Sequence, residues 1–265
     1  MKIGFIGAGN MASAILKGAV RGGAFCASDL YAYDVDTAKT AALSRTCGVQ
    51  AAASTAELLA EVQVVVLAVK PNILQSLLPT LRAKLEETGA LVISIAAGKT
   101  IDFLQALLYP SAPIVRVMPN INATVGAAMS AYCCNANVTD AQKQVVETLC
   151  SSFGACKALP EESFPLFSVL AGCASAYFYM FIDALARAGV KNGMAKADAL
   201  EIAAQTALGS AKQILESGVH PWELVDRVCS PGGTTIEGVA ALQADGLDAA
   251  VSHAVDAALE KDKRL

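Results

Sequence analysis

The chain holds a few clusters of residues whose types and spacing could do chemistry. The first is Gly7-Ala8-Gly9-Asn10-Met11-Ala12, a G-x-G-x-x-A spacing between the apolar run at Ile3, Phe5 and Ile6 and a helical pattern. In that setting Gly7 permits a tight turn, Gly9 lets the backbone approach a diphosphate, and Ala12 lets the helix pack close on the strand. Free N–H groups of the first helical turn then face the phosphate charge. Asp34 closes a second apolar run, Leu30-Tyr31-Ala32-Tyr33, about 22 residues beyond Ala12, near the place of a ribose-binding acid. A carboxylate there accepts both hydroxyls of an adenosine ribose and repels a 2′-phosphate. With Asp36 beside it and no Arg immediately after, this pattern favours NADH over NADPH. The plainer reading is that Asp34 and Asp36 begin a solvated turn and cap the helix from Thr37.

A second cluster sits at other strand ends. Ala68-Val69-Lys70-Pro71, Ala96-Ala97-Gly98 and Met118-Pro119-Asn120 each follow a run of buried-strand type. In a doubly wound sheet the ligand lies outside the carboxyl ends of the strands. Small residues and prolines there leave room for a nicotinamide ring. Ala68, Val69, Lys70, Pro71, Ala97 and Asn120 are therefore candidate cofactor contacts, with Lys70 readable equally as a general acid or as a solvated strand-end lysine. The third cluster is Cys229-Ser230-Pro231-Gly232-Gly233-Thr234-Thr235, which opens a helix in the second half of the chain. Hydroxyls and backbone N–H groups converging at a helix start make an anion nest, and an ordinary glycine-rich helix cap is its bland counterpart. Only two histidines are present and neither has a convincing catalytic partner. Redox chemistry carried by a bound cofactor therefore suits the chain better than acid–base chemistry of its own.

The elements that must hold these clusters follow from pattern. Val62 to Val69 is nearly continuous β-branched sequence, as in a parallel strand covered on both faces. Ala90 to Ile95 and Ile114 to Val117 read the same way, with Ala127 to Cys133 and Ala155 to Ala158 as later strands. Helices are expected over 11–21, 37–45, 72–85 and 140–152, and from Thr100 through Leu108. Ser54-Thr55-Ala56-Glu57 matches a capping box leading into Leu58 and Leu59. Alternation of this kind indicates an α/β doubly wound sheet of Rossmann type. Beyond about Leu159 no strand pattern remains, and helices read as 166–188, 196–216, 221–228, 233–243 and 247–262. The expected organisation is a dinucleotide-binding domain over 1–160 and an all-α domain over 161–265.

Bulk properties narrow the partners. Net charge is −4 with no basic run, so nucleic acid is not an expected partner. Eight cysteines without a C-x-x-C pair fit reduced thiols in a cytoplasmic protein, and no metal site is expected. Residues 163–182 carry no charge and could span a bilayer by length, yet they include Pro165, Ser168, Gly172 and Ser175. They are read as a helix buried against another subunit, with no membrane span expected.

With these residues in place, the whole chain resembles the pyrroline-5-carboxylate reductase family. The resemblance is carried by Gly7 to Ala12, Ala68 to Pro71, Arg116-Val117-Met118-Pro119-Asn120, Asp183-Ala184-Leu185 and, most specifically, Pro221 to Gln243 with Ser230 to Thr235 inside it. It implies a Rossmann-type domain followed by a helical domain that interlocks into a homodimer, with further assembly into decamers. The implied reaction is reduction of the C=N bond of pyrroline-5-carboxylate to L-proline with NADH or NADPH, the last step of proline synthesis. It also implies Ser230, Gly232, Gly233, Thr234 and Thr235 as the substrate-carboxylate loop, with Thr235 nearest the ring nitrogen. Two departures stand out. The family's Ser-Gly-Ser-Gly-Pro-Ala-Tyr run is replaced by Ala171-Gly172-Cys173-Ala174-Ser175-Ala176-Tyr177, and many members prefer NADPH, whereas this chain has Asp34-Val35-Asp36. Competing readings are a related imine reductase, a hydroxyacid dehydrogenase using Lys191 or Lys196 as proton donor, and a non-catalytic dinucleotide-binding protein.

Overall fold

The computed structural model of the chain describes residues 1–263 and contains two compact units, Met1–Gly172 and Cys173–Leu265. The first is built on an eight-stranded sheet. In chain order it runs β1 (Ile3–Ile6), α1 (Asn10–Arg21), β2 (Leu30–Tyr33), α2 (Thr37–Cys47), β3 (Gln50–Ala51), α3 (Thr55–Glu61), β4 (Val64–Leu67) and α4 (Leu74–Thr88). It continues with β5 (Leu91–Ser94), α5 (Ile101–Leu107), β6 (Ile114–Met118), β7 (Ala128–Cys134), α6 (Asp140–Ser151), β8 (Gly154–Ala158) and the single-turn α7 (Phe164–Phe167).

Strand order is β3-β2-β1-β4-β5-β6-β7-β8. The first six are parallel, as a doubly wound sheet requires, whereas β7 runs antiparallel to β6 and β8 runs parallel to β7. The continuous apolar strands are explained by burial on both faces. Along β4, Val64 and Val66 pack into one cluster with Phe5, Ile15 and Leu16, while Val65 and Leu67 pack into the other with Leu58, Leu78 and Leu104.

Local signals act where expected, with small shifts. Thr100 Oγ1 accepts the Phe103 N–H at 3.1 Å and starts α5. Ser54 Oγ accepts the Glu57 N–H at 3.1 Å, but the Glu57 carboxylate returns to the Ala53 N–H at 2.8 Å rather than to Ser54 itself, so the box closes one residue early. The full reciprocal box occurs instead at Thr139 and Gln142, at the start of α6.

The loss of strand pattern places a boundary at residue 160, yet residues 161–172 pack with the first unit. Phe164 and Phe167 bury against Ala131 of β7, with Met118, Met129 and Leu159 beside them. The helix expected over 166–188 is also interrupted, because Ser168–Cys173 winds as a π-helix.

The second unit consists of α8 (Ala174–Lys191), α9 (Lys196–Ser217), α10 (Pro221–Val228), α11 (Thr234–Ala244) and α12 (Leu247–Asp262). Asp183 of α8 pairs with Arg187 on its own helix and with Lys196 at the start of α9, which ties the two helices together. Among the described residues of this unit only Ser175, Ala186, Ala199 and Ala203 are buried. The helical run 161–191 is long and apolar enough to cross a membrane by length and composition, and about a fifth of its most apolar window is buried within the chain.

Candidate functional site

Parallel pairing of β2, β1, β4, β5 and β6 sets their carboxyl ends along one edge of the sheet. The turn after β1 is the narrowest point of that edge. Gly7 has φ +105°, and a Cβ there would lie 2.5 Å from the Ala68 carbonyl oxygen, so only glycine lets the ends of β1 and β4 approach this closely. Gly9 is the opposite case: a Cβ at Gly9 would meet no heavy atom within 4 Å. The space a side chain would fill is left open beside the start of α1. That helix has Gly9 at its cap and no side chain bonded to its first N–H groups. An open, uncapped helix start of this kind fits the diphosphate of a dinucleotide.

Asp34 is held against the same turn. Its Oδ2 accepts the Ala8 N–H at 2.7 Å and its Oδ1 accepts the Asp36 N–H at 2.9 Å. Burial pushes the Asp34 carboxyl up, but these two N–H bonds and the Lys39 ammonium outweigh it and leave the group below its ordinary value. Asp36 has the plainer role: its Oδ1 accepts the Ala38 N–H at 3.1 Å and caps α2. Lys39 lies 3.6 Å from Asp34 Oδ1 and 3.7 Å from Asp36 Oδ2.

The remaining candidates on this edge differ in availability. Ala8 is buried, Met11, Ala68 and Val69 are half-buried, and Asn10, Lys70 and Ala97 are exposed. Pro71 opens a short 3-10 turn after Lys70. Asn120, expected as a cofactor contact, is buried with its side chain engaged inside the unit. Its Nδ2 donates to the Ala171 carbonyl at 2.9 Å and its Oδ1 accepts the Met129 N–H at 3.2 Å. Asn120 thus anchors the wide helical turn at 168–173, a role that its place after β6 does not announce.

A cleft of about 230 Å³ opens beside Gly9, between Ala8, Asn10 and Ser13 on one side and Lys39, Ala42 and Thr46 on the other. A larger cavity of about 740 Å³, lined by Tyr132, Cys133 and Glu161, contains none of the strand-end candidates and is no part of this site.

The stretch expected to form an anion nest lies in the second unit. Ser230 to Gly233 is a tight turn in which the Gly233 N–H donates to the Ser230 carbonyl at 2.9 Å and Gly232 has φ +66°. The Ser230 hydroxyl occupies the space where a Gly233 Cβ would be, 2.3 Å from that position. Gly233 caps α11 without a side-chain bond, and Thr234 and Thr235 follow in its first turn with both residues exposed. The turn therefore sets the Ser230 hydroxyl beside Gly233, with Thr234 and Thr235 following in the first turn of α11. Lys196, which the hydroxyacid dehydrogenase reading would use, is occupied by Asp183.

Comparison with known proteins agrees with both halves. A family model described as NADP oxidoreductase coenzyme F420-dependent matches residues 2–98, and one described as pyrroline-5-carboxylate reductase dimerisation matches residues 161–265. The pyrroline-5-carboxylate reductase of Escherichia coli (strain K12) is 40% identical over 264 residues, covering 100% of this chain and 98% of that protein. Among solved structures, a pyrroline-5-carboxylate reductase from Coxiella burnetii superposes with a TM-score of 0.95 at 31% identity, covering 99% and 97% of the two chains. The Plasmodium falciparum pyrroline carboxylate reductase with NADP bound gives 0.85 at 32% identity, covering 100% and 97%. Similarity that extends over essentially the whole of this chain and of each relative leaves one assignment: the chain belongs to the pyrroline-5-carboxylate reductase family.

Proposed function

We propose that the turn Ser230–Thr235 holds the carboxylate of 1-pyrroline-5-carboxylate while Gly7 to Met11 hold the diphosphate of the coenzyme. The chain is an NAD(P)H-dependent enzyme that reduces the C=N bond of this substrate to give L-proline. A reduced nicotinamide, when bound, supplies the hydride. The residues of the chain supply position. The Ser230 hydroxyl and the N–H groups of Gly232 and Thr234 orient the carboxylate, whereas the Gly233 N–H, expected as a third backbone donor, is spent on the Ser230 carbonyl and holds the turn. The Thr235 hydroxyl sits nearest the ring nitrogen, donating or relaying its proton. Ala68 to Pro71 and Ala97 line the ring end of the coenzyme site. A cyclic iminium already carries its positive charge, so no strong general acid is demanded and most of the rate comes from alignment of the reacting carbons.

The open, uncapped helix start at Gly9 is the observation that carries the coenzyme half of this reading. In the second unit, the apolar faces of α8 and α9 support a homodimer, with decamers as a further level of assembly, and the setting is cytoplasmic. Asp34 by itself favours NADH, but two backbone N–H groups already engage it, so both coenzymes are expected to serve.

The test is steady-state reduction of pyrroline-5-carboxylate with NADH and NADPH in parallel, repeated on Thr235→Val. Turnover is expected with both coenzymes. The substitution should lower hydride transfer by about a hundredfold, with coenzyme affinity changed less than about twofold. Equal loss of turnover and coenzyme affinity would overturn the assignment of Thr235 to the substrate.

A further inference from the structure

An acid at the end of β2 repels a 2′-phosphate when its carboxylate faces the ribose. Asp34 occupies that place but is turned into the protein. Its side chain is 10% exposed, and both of its oxygens take backbone N–H groups, from Ala8 and Asp36. The outward charge at this end of the site belongs instead to Lys39. It sits in the first turn of α2, 48% exposed, with its ammonium 3.6 Å from Asp34 Oδ1 and 3.7 Å from Asp36 Oδ2. Lys39 and Lys17 line the same cleft as Ala8, Gly9 and Asn10.

We propose that Lys39 is the specificity-determining residue for the coenzyme: its ammonium leaves Asp34 and Asp36 to meet an adenosine 2′-phosphate, with Lys17 lining the same cleft. This rests on the placement of the dinucleotide at Gly7 to Met11. The exchange is favourable for three physical reasons. The Lys39–Asp36 pair is exposed at both ends and therefore weak, and the ammonium stands 3.6 Å from Asp34 Oδ1, beyond a good hydrogen bond, so little holds Lys39 where it is. Asp34 keeps two N–H partners after the ammonium leaves, so no carboxylate is stranded. A phosphate dianion offers the three ammonium donors of Lys39 charge-assisted bonds, which are shorter and stronger than neutral ones. The chain thereby accepts NADPH in spite of an acid at the position that ordinarily excludes it.

The experiment is calorimetric titration of the full-length chain with 2′,5′-ADP and, separately, 5′-ADP, for wild type, Lys39→Met and Lys39→Arg. Wild type is expected to bind 2′,5′-ADP the more tightly. Lys39→Met should weaken 2′,5′-ADP by tenfold or more, about 1.4 kcal/mol, and 5′-ADP by less than about twofold, while Lys39→Arg keeps most of the preference. Equal weakening of both ligands, or of neither, overturns the proposal. Wild type that binds 5′-ADP but discriminates against 2′,5′-ADP overturns it too, and leaves the dinucleotide placement intact. Binding of neither ligand removes that placement, and the role of Lys39 falls with it.

Discussion

The central strands β1, β4 and β5 of the sheet unit bury every apolar side chain they carry, whereas α8 of the helical unit leaves Phe178, Tyr179, Met180 and Phe181 exposed, Phe178 at 64% and Met180 at 72%. The two units also treat charge differently. In the first, Arg116 is buried against Glu161, whose Oε1 accepts from the guanidinium at 2.8 Å and from the Ile101 N–H at 2.9 Å. In the second, Asp183, Arg187 and Lys196 form their ion pairs in solvent. The contrast teaches that the first unit has the interior of a finished domain and the second has the surface of half a domain. An apolar patch of this extent on a chain marks an interaction surface. Matching copies of such a face bury each other, as in obligate dimers whose interfaces resemble a core cut in two.

The largest expected effect strikes that contrast directly. Met180→Glu places a charge on the exposed face of α8, where it would be trapped in any dimer. Sedimentation should show the assembly constant weakened by at least about a hundredfold, roughly 2.7 kcal/mol, with the helical unit losing protection from proteolysis and the sheet unit keeping it. If the assembly survives unchanged, the half-domain reading of α8 is lost.

A pair of substitutions sharpens the comparison within the sheet unit. Gly7→Ala puts a Cβ 2.5 Å from the Ala68 carbonyl at φ +105°, and should destabilise the fold by about 1–3 kcal/mol in thermal or urea unfolding. The Cβ of Gly9→Val meets no heavy atom of the protein within 4 Å, so this substitution should lower the melting temperature less than Gly7→Ala does, while dinucleotide affinity falls about tenfold as the diphosphate loses the open face. Should Gly9→Val bind the coenzyme normally, the diphosphate does not lie there.

The smallest effect is electrostatic. The carboxyl of Asp34 lies below its ordinary value of 3.8, so its interactions stabilise the fold at pH above that value and fade as the pH falls through the lowered one. Acid unfolding of Asp34→Asn should therefore lack this part of the pH dependence below 3.8, and the difference from wild type should shrink as the solution becomes more acid. A difference that grows toward low pH would reverse the assigned direction.

Much of this was legible in residue pattern. The spacing of Gly7, Gly9 and Ala12 announces a tight turn into a helix, the β-branched run of β4 announces its burial, and Gly232-Gly233 before two threonines announces a helix start. Other features depend on contacts distant along the chain, which no local pattern records. Asp34 has the type and spacing of a ribose-binding acid, yet it grips Ala8, 26 residues away. Asn120 reads as a strand-end contact, yet it reaches Ala171, 51 residues on. Lys39 gave the weakest signal of all, one lysine on an exposed helix, and only its distance to Asp34 distinguishes it from any other. The reversal of β7 left no trace in composition, since antiparallel and parallel strands buried on both faces carry the same residues.

The bond from Ala8 N–H to Asp34 has a thermodynamic consequence. A loop already fixed to the neighbouring strand loses little further freedom when a ligand arrives, because its ordering is complete when the protein folds. Association with the glycine turn should then have the heat signature of rigid docking. Its heat-capacity change would reflect the apolar surface the ligand covers, with no added contribution from a segment folding around it.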